Sequence, residues 1–348
     1  MSHPDPRPSA SVKPAEGGPR AVRPVGIVGT GSFLPPRCLT NADLEKMVDT
    51  SDEWIRARTG IVERRLADPD TATSDLAVRA ARQALENAGV EAAALDLIIV
   101  STVTPDMFFP STASLVQHQL GAERAGAFDL LVGCTGFVYA LSLGAQAIAT
   151  GANETVLVVG AETLSKVVDW SDRATCVLFG DGAGAVVLRE SAEGKGLLSY
   201  VLGNNGEGAT ELLSIPAGGS RRPASEETVR QGLHFLKMEG GEVFKFAVRI
   251  MEEASRQALA QAGLRIEDVD LLVPHQANVR IMDAAAKRLG LPRDRVLYNV
   301  ERYGNTSSAS IPIALDEAAR GGQLRPGDVV VLVSFGAGLS WASAVLRW

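Results

Sequence analysis

The chain carries one structural plan written twice. Ala84-Leu85-Glu86-Asn87-Ala88-Gly89 reappears 174 residues later as Ala258-Leu259-Ala260-Gln261-Ala262-Gly263. At the same offset Asp96-Leu97-Ile98-Ile99 matches Asp270-Leu271-Leu272-Val273. Each copy predicts a helix closed by glycine, a short linker and a buried strand. Further along, Phe128–Cys134 faces Tyr298–Asn305, and both lead into a helix of small residues, Phe137–Thr150 in one copy and Ser310–Arg320 in the other. Glu154–Gly160 then matches Asp328–Gly336, each a run of Val and Leu, and Gly182-Ala183-Gly184 matches Gly336-Ala337-Gly338. One such match arises by chance in Ala- and Gly-rich sequence; several in the same order do not.

Strands apolar on both faces belong in sheets covered on each side by helices. A helix lined all round with Ala, Gly and Ser belongs between layers. Two α/β halves packed together therefore predict one five-layered core with its functional groups at the junction. The halves are expected at 25–195, carrying the nucleophile, and 196–348. Residues 1–24, polar and proline-rich, read as a disordered tail. Gly203–Pro223, rich in Gly, Pro, Asn and Ser, reads as an irregular segment, either a cover over a site or a plain surface loop.

A length of 348 residues suits two such units. The 34 Lys and Arg against 41 Asp and Glu leave a net charge of −7, which argues against nucleic-acid or membrane-surface binding. No apolar run nears the ~20 residues that span a bilayer, and the first residues lack the apolar stretch of a secretory signal. Three cysteines cannot all pair, so a reducing cytoplasm is the expected compartment. No metal is expected, since Cys-x-x-Cys and His-x-x-x-His spacings are missing. Gly29-Thr30-Gly31 follows a strand as a dinucleotide-binding turn would. Leu34 stands at the third glycine's place, however, and Pro35-Pro36 blocks a helix start, so no bound cofactor is expected.

Cys134 sits in Gly133-Cys134-Thr135-Gly136, after an apolar strand and before a small-residue helix. It is either a small buried hydrophobe, as most free cysteines are, or a nucleophile whose thiolate is favoured by the helix N-terminus. Cys38 and Cys176 read as structural. His275 follows the strand Leu271–Val273 and Pro274, at the carboxyl strand end where ligand groups gather in α/β sheets. Asn305 is read as the position in the second copy that matches Cys134; its alternatives are a turn residue or a helix cap. A thiol, a neutral imidazole and an amide together supply an acyl carrier and two donors, which suits a reaction that places negative charge on a thioester carbonyl. The two Gly-Ala-Gly segments are candidate oxyanion donors. Lys245 and Arg249 stand four apart on one helix, and Arg280, Lys287 and Arg288 share a face of the next. They form either a docking stripe for an acidic partner or an ordinary solvated face.

On these residues the chain resembles the β-ketoacyl-[acyl-carrier-protein] synthase III family of the thiolase-like superfamily. The resemblance runs from about Val25 to Trp348. It rests on Thr50-Ser51-Asp52-Glu53-Trp54-Ile55, Arg58-Thr59-Gly60-Ile61, Gly133-Cys134-Thr135-Gly136-Phe137, Phe179-Gly180-Asp181-Gly182-Ala183-Gly184, His275-Gln276-Ala277-Asn278, Tyr303-Gly304-Asn305-Thr306-Ser307 and Phe335-Gly336-Ala337-Gly338. It implies the thiolase-like duplicated α-β-α-β-α fold. It implies that Cys134 accepts an acyl group from a short acyl-CoA such as acetyl-CoA. His275 and Asn305 would then assist decarboxylation of malonyl-acyl-carrier protein, with the backbone N–H groups of Cys134 and Ala337 as the oxyanion hole. It further implies CoA contacts from Trp54, Arg58, Arg173 and Asn278, and carrier-protein docking on Lys245, Arg249, Arg280, Lys287 and Arg288. Leu164 and Phe179 would line the acyl pocket, with Phe109 reaching it across a homodimer interface. Gly133 and Thr135 stand where alanines are frequent, and Ala337 falls within the final glycine loop. Two other readings remain: an acyltransferase or condensing enzyme of a secondary-metabolite pathway, or a non-catalytic acyl-chain binder that would need none of the three central residues.

Overall fold

The computed structural model describes residues 22–207 and 209–348. The disorder expected of residues 1–21 falls outside them. Arg23, counted with that tail, is anchored: its guanidinium donates to the Ile148 carbonyl at 2.7 Å and reaches Glu154 at 2.9 Å.

Two sheets repeat one order. The first runs Val25–Phe33, Asp181–Glu190, Val156–Thr163, Leu97–Ser101, Gly126–Leu130. The second, read from the same edge, runs Gly196–Asn204, Ser340–Arg347, Val329–Gly336, Leu271–Pro274. A single parallel bridge from Leu272 to Val296 takes the place of a fifth strand. Leu97 pairs in parallel with Val156 and Leu271 with Val330, so both partners move by the same 174 residues seen in the sequence repeat.

The layers follow from which faces are apolar. In the first sheet, Ile98, Val100, Leu157, Val159 and Val187 face the outer helix Thr73–Ala88. The alternate residues Ile99, Val156, Val158, Val186 and Leu188 face inward onto Phe137, Leu141 and Ile148 of the helix Gly136–Ala149. The second sheet turns Val330, Leu332, Ala342 and Ala344 to the same central layer. There the helix Ser310–Arg320 supplies Ile311, Ala314 and Leu315. Its outer face packs on Gly240–Gln261 and Val279–Leu289. Every strand residue in the middle is buried on one side or the other, and each large apolar side chain contributes roughly 1.5–3 kcal/mol of burial. The result is the five-layered duplicated α/β architecture that the repeat predicts.

Two details of the sequence alignment change. The segment Gly182–Gly184 lies inside the strand Asp181–Glu190, hydrogen-bonded between two neighbours, whereas Gly336–Gly338 forms the end and turn of a hairpin. The first cannot offer free N–H donors. The second correction concerns Cys134. The short helical turn Gly133–Thr135 corresponds to Ser307–Ala309, so the residue matching Cys134 is Ser308, not Asn305. Between the sheets, the segment read as irregular contains a helical turn at Ala209–Leu212. It also holds a strand, Leu213–Ser214, paired with Lys237–Met238.

Candidate active site

The central strand of each half ends against the turn of the other half. Gly160 lies so close to the second turn that an added Cβ would come within 2.3 Å of the Ser308 carbonyl oxygen. Gly336 lies so close to the first that its Cβ would stand 2.8 Å from the Cys134 nitrogen. Only glycine allows such approaches, and they draw both turns to one place at the junction.

Cys134 is partly exposed, while Cys176 is wholly buried among Leu164, Val177 and Phe179. Burial pushes the Cys134 thiol up to about 12, with Ser307 opposing the rise and Glu162 adding to it. This corrects the expectation of a resting thiolate: lost hydration outweighs the favourable pull of the helix N-terminus. Ala337 follows Gly336, with its nitrogen 3.2 Å from where a Cβ on Gly133 would sit. The Ala337 amide meets no protein acceptor among the described residues, and the Cys134 amide faces its own thiol. Thr135 fixes this pair. Its hydroxyl lies 2.9 Å from Ser340 Oγ, which in turn donates to the Ala337 carbonyl at 2.8 Å.

His275 continues the strand Leu271–Pro274, its N–H donating to the Val333 carbonyl at 2.8 Å. Its ring is 1 % exposed and meets Phe335 edge-on, centroids 5.5 Å apart. Nδ1 lies 2.7 Å from Ser310 Oγ. The Gln276 N–H points at that oxygen at 3.4 Å, and the arrangement suits a Ser310 hydroxyl that gives its own proton to His275 Nδ1. The ring N–H then sits on Nε2, and the imidazole presents a donor. Burial pulls its pKa down to about 3, so the ring is neutral at physiological pH.

Asn305 is held by backbone bonds to Leu178 and Gly180 beside Phe179. Its Oδ1 accepts the Ser307 N–H at 2.8 Å. With the amide oxygen occupied, the NH₂ is the free end, a second donor. Cys134, His275 and Asn305 are thus joined through short links: Ser307 contacts Cys134 and orients Asn305, while Phe335 and Gly336 run from His275 to Cys134. Ser307, Ser310, Glu162 and Phe335 were not singled out from the sequence. The 174-residue offset from Gly133 and Gly136 points at the first two.

The remaining predicted residues fall in three places. Trp54, on Asp52–Thr59, has two guanidinium groups over its ring, Arg58 at 5.3 Å and Arg173 at 4.9 Å from the centroid. Asn278 caps Val279–Leu289, its Oδ1 accepting the Arg280 N–H at 2.8 Å. The cap spends its oxygen, and only the NH₂ is left for a ligand. Val279 packs on Gly60 at the end of the Trp54 helix, so these two elements adjoin. Leu164 and Phe179 are buried in one apolar cluster. Phe109 is 85 % exposed and is not brought to that cluster within one chain.

The basic stripe is less bare than its spacing implies. Lys245 pairs with Glu242, Arg249 with Glu253 and Arg288 with Glu252. Among the described residues Arg280 and Lys287 have no ion pair, and Arg280 lies over Phe244 at 5.7 Å.

A duplicated five-layered fold that sets a cysteine and two backbone donors against a neutral histidine and an asparagine is that of the thiolase-like condensing enzymes. Models of 3-oxoacyl-[acyl-carrier-protein] synthase III match residues 128–206 and its C-terminal part residues 259–348. A β-ketoacyl-[acyl-carrier-protein] synthase III of Symbiobacterium thermophilum is 61% identical over 94% of this chain and 99% of its own. The chain belongs to the β-ketoacyl-[acyl-carrier-protein] synthase III family. Among solved structures, the synthase III from Thermus thermophilus is 52% identical with a TM-score of 0.86, covering 93% of this chain and 99% of that one. The priming β-ketosynthase from the R1128 polyketide biosynthetic pathway is 39% identical with a TM-score of 0.88, covering 96% and 98%. The protein is therefore an acyltransferase that carries out the initiating condensation of fatty-acid synthesis.

Proposed function

We propose that Cys134 is the acyl carrier of this condensation and that His275 and Asn305 drive the decarboxylation. The observation that supports this most is the pairing of a partly exposed cysteine, beside its own amide and that of Ala337, with two side-chain donors on the facing half. In the first half-reaction the Cys134 sulfur attacks an acyl-CoA thioester, the C–S bond to CoA breaks, and CoA leaves as the thiol with one proton. In the second, His275 Nε2–H and the Asn305 NH₂ hold the thioester oxygen of malonyl-acyl-carrier protein while CO₂ departs and an enolate forms. The enolate carbon attacks acyl-Cys134. The N–H groups of Cys134 and Ala337 hold the oxyanion, and collapse releases Cys134 and the 3-oxoacyl product.

The Trp54–Arg58–Arg173 cluster offers a planar face and two cations, the chemistry that suits an adenine nucleotide with phosphates, and Asn278 adjoins it. Arg280, with Lys245 and Arg249 on the neighbouring helix, suits the acidic carrier protein. Lys287 and Arg288 lie at the far end of the Arg280 helix and contribute less. Phe108 and Phe109, each 85 % exposed, form with Met107 an apolar patch that suits burial in a homodimer, where Phe109 would meet the partner's acyl pocket. The primer is acetyl-CoA or another short acyl-CoA. No prosthetic group is required, because acyl-CoA is a substrate, and the expected compartment is the cytoplasm. Among the described residues no helix is long and apolar enough to cross a membrane.

Intact mass after mixing with acetyl-CoA tests the reading, with Cys134→Ala as control. The expected result is one acetyl group on the wild type alone, discharged by malonyl-acyl-carrier protein as acetoacetyl-acyl-carrier protein. An adduct only with longer or branched acyl-CoA moves the primer. An adduct that malonyl-acyl-carrier protein leaves in place, but that another acceptor removes, favours a secondary-pathway acyltransferase.

A further inference from the structure

Asn305 and His275 reach the junction from separate segments, yet both are tied to one short piece of chain, the helical turn Val300–Tyr303. Asn305 follows the cap of that turn, Gly304, whose N–H donates to the Val300 carbonyl at 2.9 Å. His275 is joined to it through its neighbour Gln276, which is wholly buried. Gln276 Oε1 accepts the Asn299 N–H at 2.9 Å and the Val300 N–H at 3.2 Å. Its NH₂ donates to the Pro274 carbonyl at 2.9 Å. The place of the turn therefore sets how far apart the two donors stand.

Four helical residues do not hold themselves in place. Asn299, at the cap position, makes no side-chain cap; its NH₂ donates to Glu317 Oε2 at 3.0 Å instead. Arg302 grips the same carboxylate with both ends of its fork, each at 3.0 Å. The Tyr303 hydroxyl donates to Oε1 at 2.5 Å and accepts Arg302 Nη1 at 2.9 Å. Four donors fill the acceptor positions of one largely buried carboxylate, and charge-assisted, bidentate bonds of this kind are the strong ones. Glu317 stands on the helix Ser310–Arg320, seven residues beyond Ser310, whose hydroxyl meets the His275 ring. Seven residues are two turns, so the two side chains share a face about 10 Å apart along the axis. One helix thus holds the His275 ring directly and the Asn305 segment through Glu317. Among the described residues, no hydrogen bond of Glu317 or Gln276 reaches the Cys134 turn; Thr135 there bonds to Ser340 and Val132.

We propose that Glu317 is a positioning residue for the decarboxylation half-reaction: by clamping Asn299, Arg302 and Tyr303 to the helix that carries Ser310, it fixes the Asn305 NH₂ relative to His275 Nε2, and so the place where the enolate oxygen is held. The proposal rests on His275 and Asn305 being the donors to that oxygen. Glu317 itself meets no substrate and transfers no proton.

The two half-reactions separate this role from a general one. Glu317→Ala should form acyl-Cys134 from acetyl-CoA at close to the wild-type rate. Its decarboxylation of malonyl-acyl-carrier protein should fall about tenfold in kcat with KM little changed, as donors displaced by a fraction of an ångström would dictate. Decarboxylation is read as CO₂ release in a Cys134→Ala background, where no acyl-cysteine intervenes. Tyr303→Phe loses one arm, keeps its ring, and should fall about threefold in the same readout. Glu317→Gln keeps the volume but sets an NH₂ against the donors, and should lie between the two. These milder variants carry the test should Glu317→Ala not fold. Half-reactions that fall together, in step with the melting temperature, would overturn the proposal and leave Glu317 a residue of the fold. Folded Glu317→Gln and Tyr303→Phe proteins that decarboxylate at the wild-type rate would overturn it too. If His275→Ala and Asn305→Ala decarboxylate at the full rate in that background, the donor reading itself fails, and the proposal with it.

Discussion

The two turns at the junction, Gly133–Thr135 and Ser307–Ala309, share a backbone and differ in chemistry. Each begins with a residue of positive φ, and each is pressed by a glycine of the opposite half. In the first, Cys134 is partly exposed toward the site. In the second, the matching Ser308 is 1 % exposed and bonds inward to Ser101 and Glu162. One copy of the turn thus presents a thiol, the candidate nucleophile, and the other locks the halves together. The electrophilic donors of the second half come from beside its turn, from Asn305 just before it and from His275 across the sheet. Duplication kept the frame, which packing enforces, and let the residues at its centre part company.

That division can be broken from either side. The largest effect is expected from His275→Ala, which removes a donor needed when the enolate forms. Condensation should fall on the order of a hundred- to a thousandfold while acyl-Cys134 still forms, so the acyl-enzyme accumulates and is seen by intact mass. Equal loss in both half-reactions would mean that His275 serves the first turn as well.

The second prediction uses pH. Unfolded histidine titrates near 6.5, and folded His275 near 3. The unfolded chain therefore binds a proton that the folded chain refuses. Stability present above pH 6.5 is lost as the pH falls toward 3, by up to about 1.4 kcal/mol per unit. Glu162 and Asp181, raised by burial, act in the opposite direction. The readout is thus the difference between wild type and His275→Gln in denaturant melts from pH 7 to 5, with the variant losing less.

Ser308→Ala sharpens the contrast from the structural side. It removes a buried hydroxyl with two partners and should cost about 1–3 kcal/mol of stability, measured by denaturant unfolding, while acyl-Cys134 still forms. A change confined to catalysis would show the two turns to be less specialised than their burial implies. The smallest effect is expected at the surface. Arg280→Glu should raise the KM for the carrier protein several-fold and leave that for acyl-CoA unchanged, and Arg288→Glu should do less, since Glu252 already neutralises Arg288.

Much of the molecule was legible in the sequence because burial writes itself as pattern. The runs Val156–Val159 and Val329–Val333 are apolar on both faces and sit in the middle of covered sheets. Cys134, His275 and Asn305 could be chosen as residue types placed at strand ends. The stripe Lys245 to Arg288 was read from cations alone, and three of its five members prove to be paired with glutamates one helical turn away or on the adjoining helix. The glutamates that pair with Lys245 and Arg249 stand three and four residues away, and only Glu252, which meets Arg288, had to be brought there by packing. The resemblance implies Asn278 as a CoA contact, and its side-chain oxygen also caps a helix N-terminus.

The sequence by itself determined the duplicated frame and the layer order, since periodicity and repeat depend only on which residues must avoid water, and it singled out Cys134, His275 and Asn305 as candidates. Tertiary structure alone decided which turn faces which, that Ser308 rather than Asn305 answers to Cys134, and that the thiol rests protonated. It also decided that Ser310 meets the His275 ring and that the Ser307 N–H holds the Asn305 side chain. These are matters of desolvation and hydrogen-bond direction between segments more than a hundred residues apart, and such terms exist only once the two halves have closed on each other.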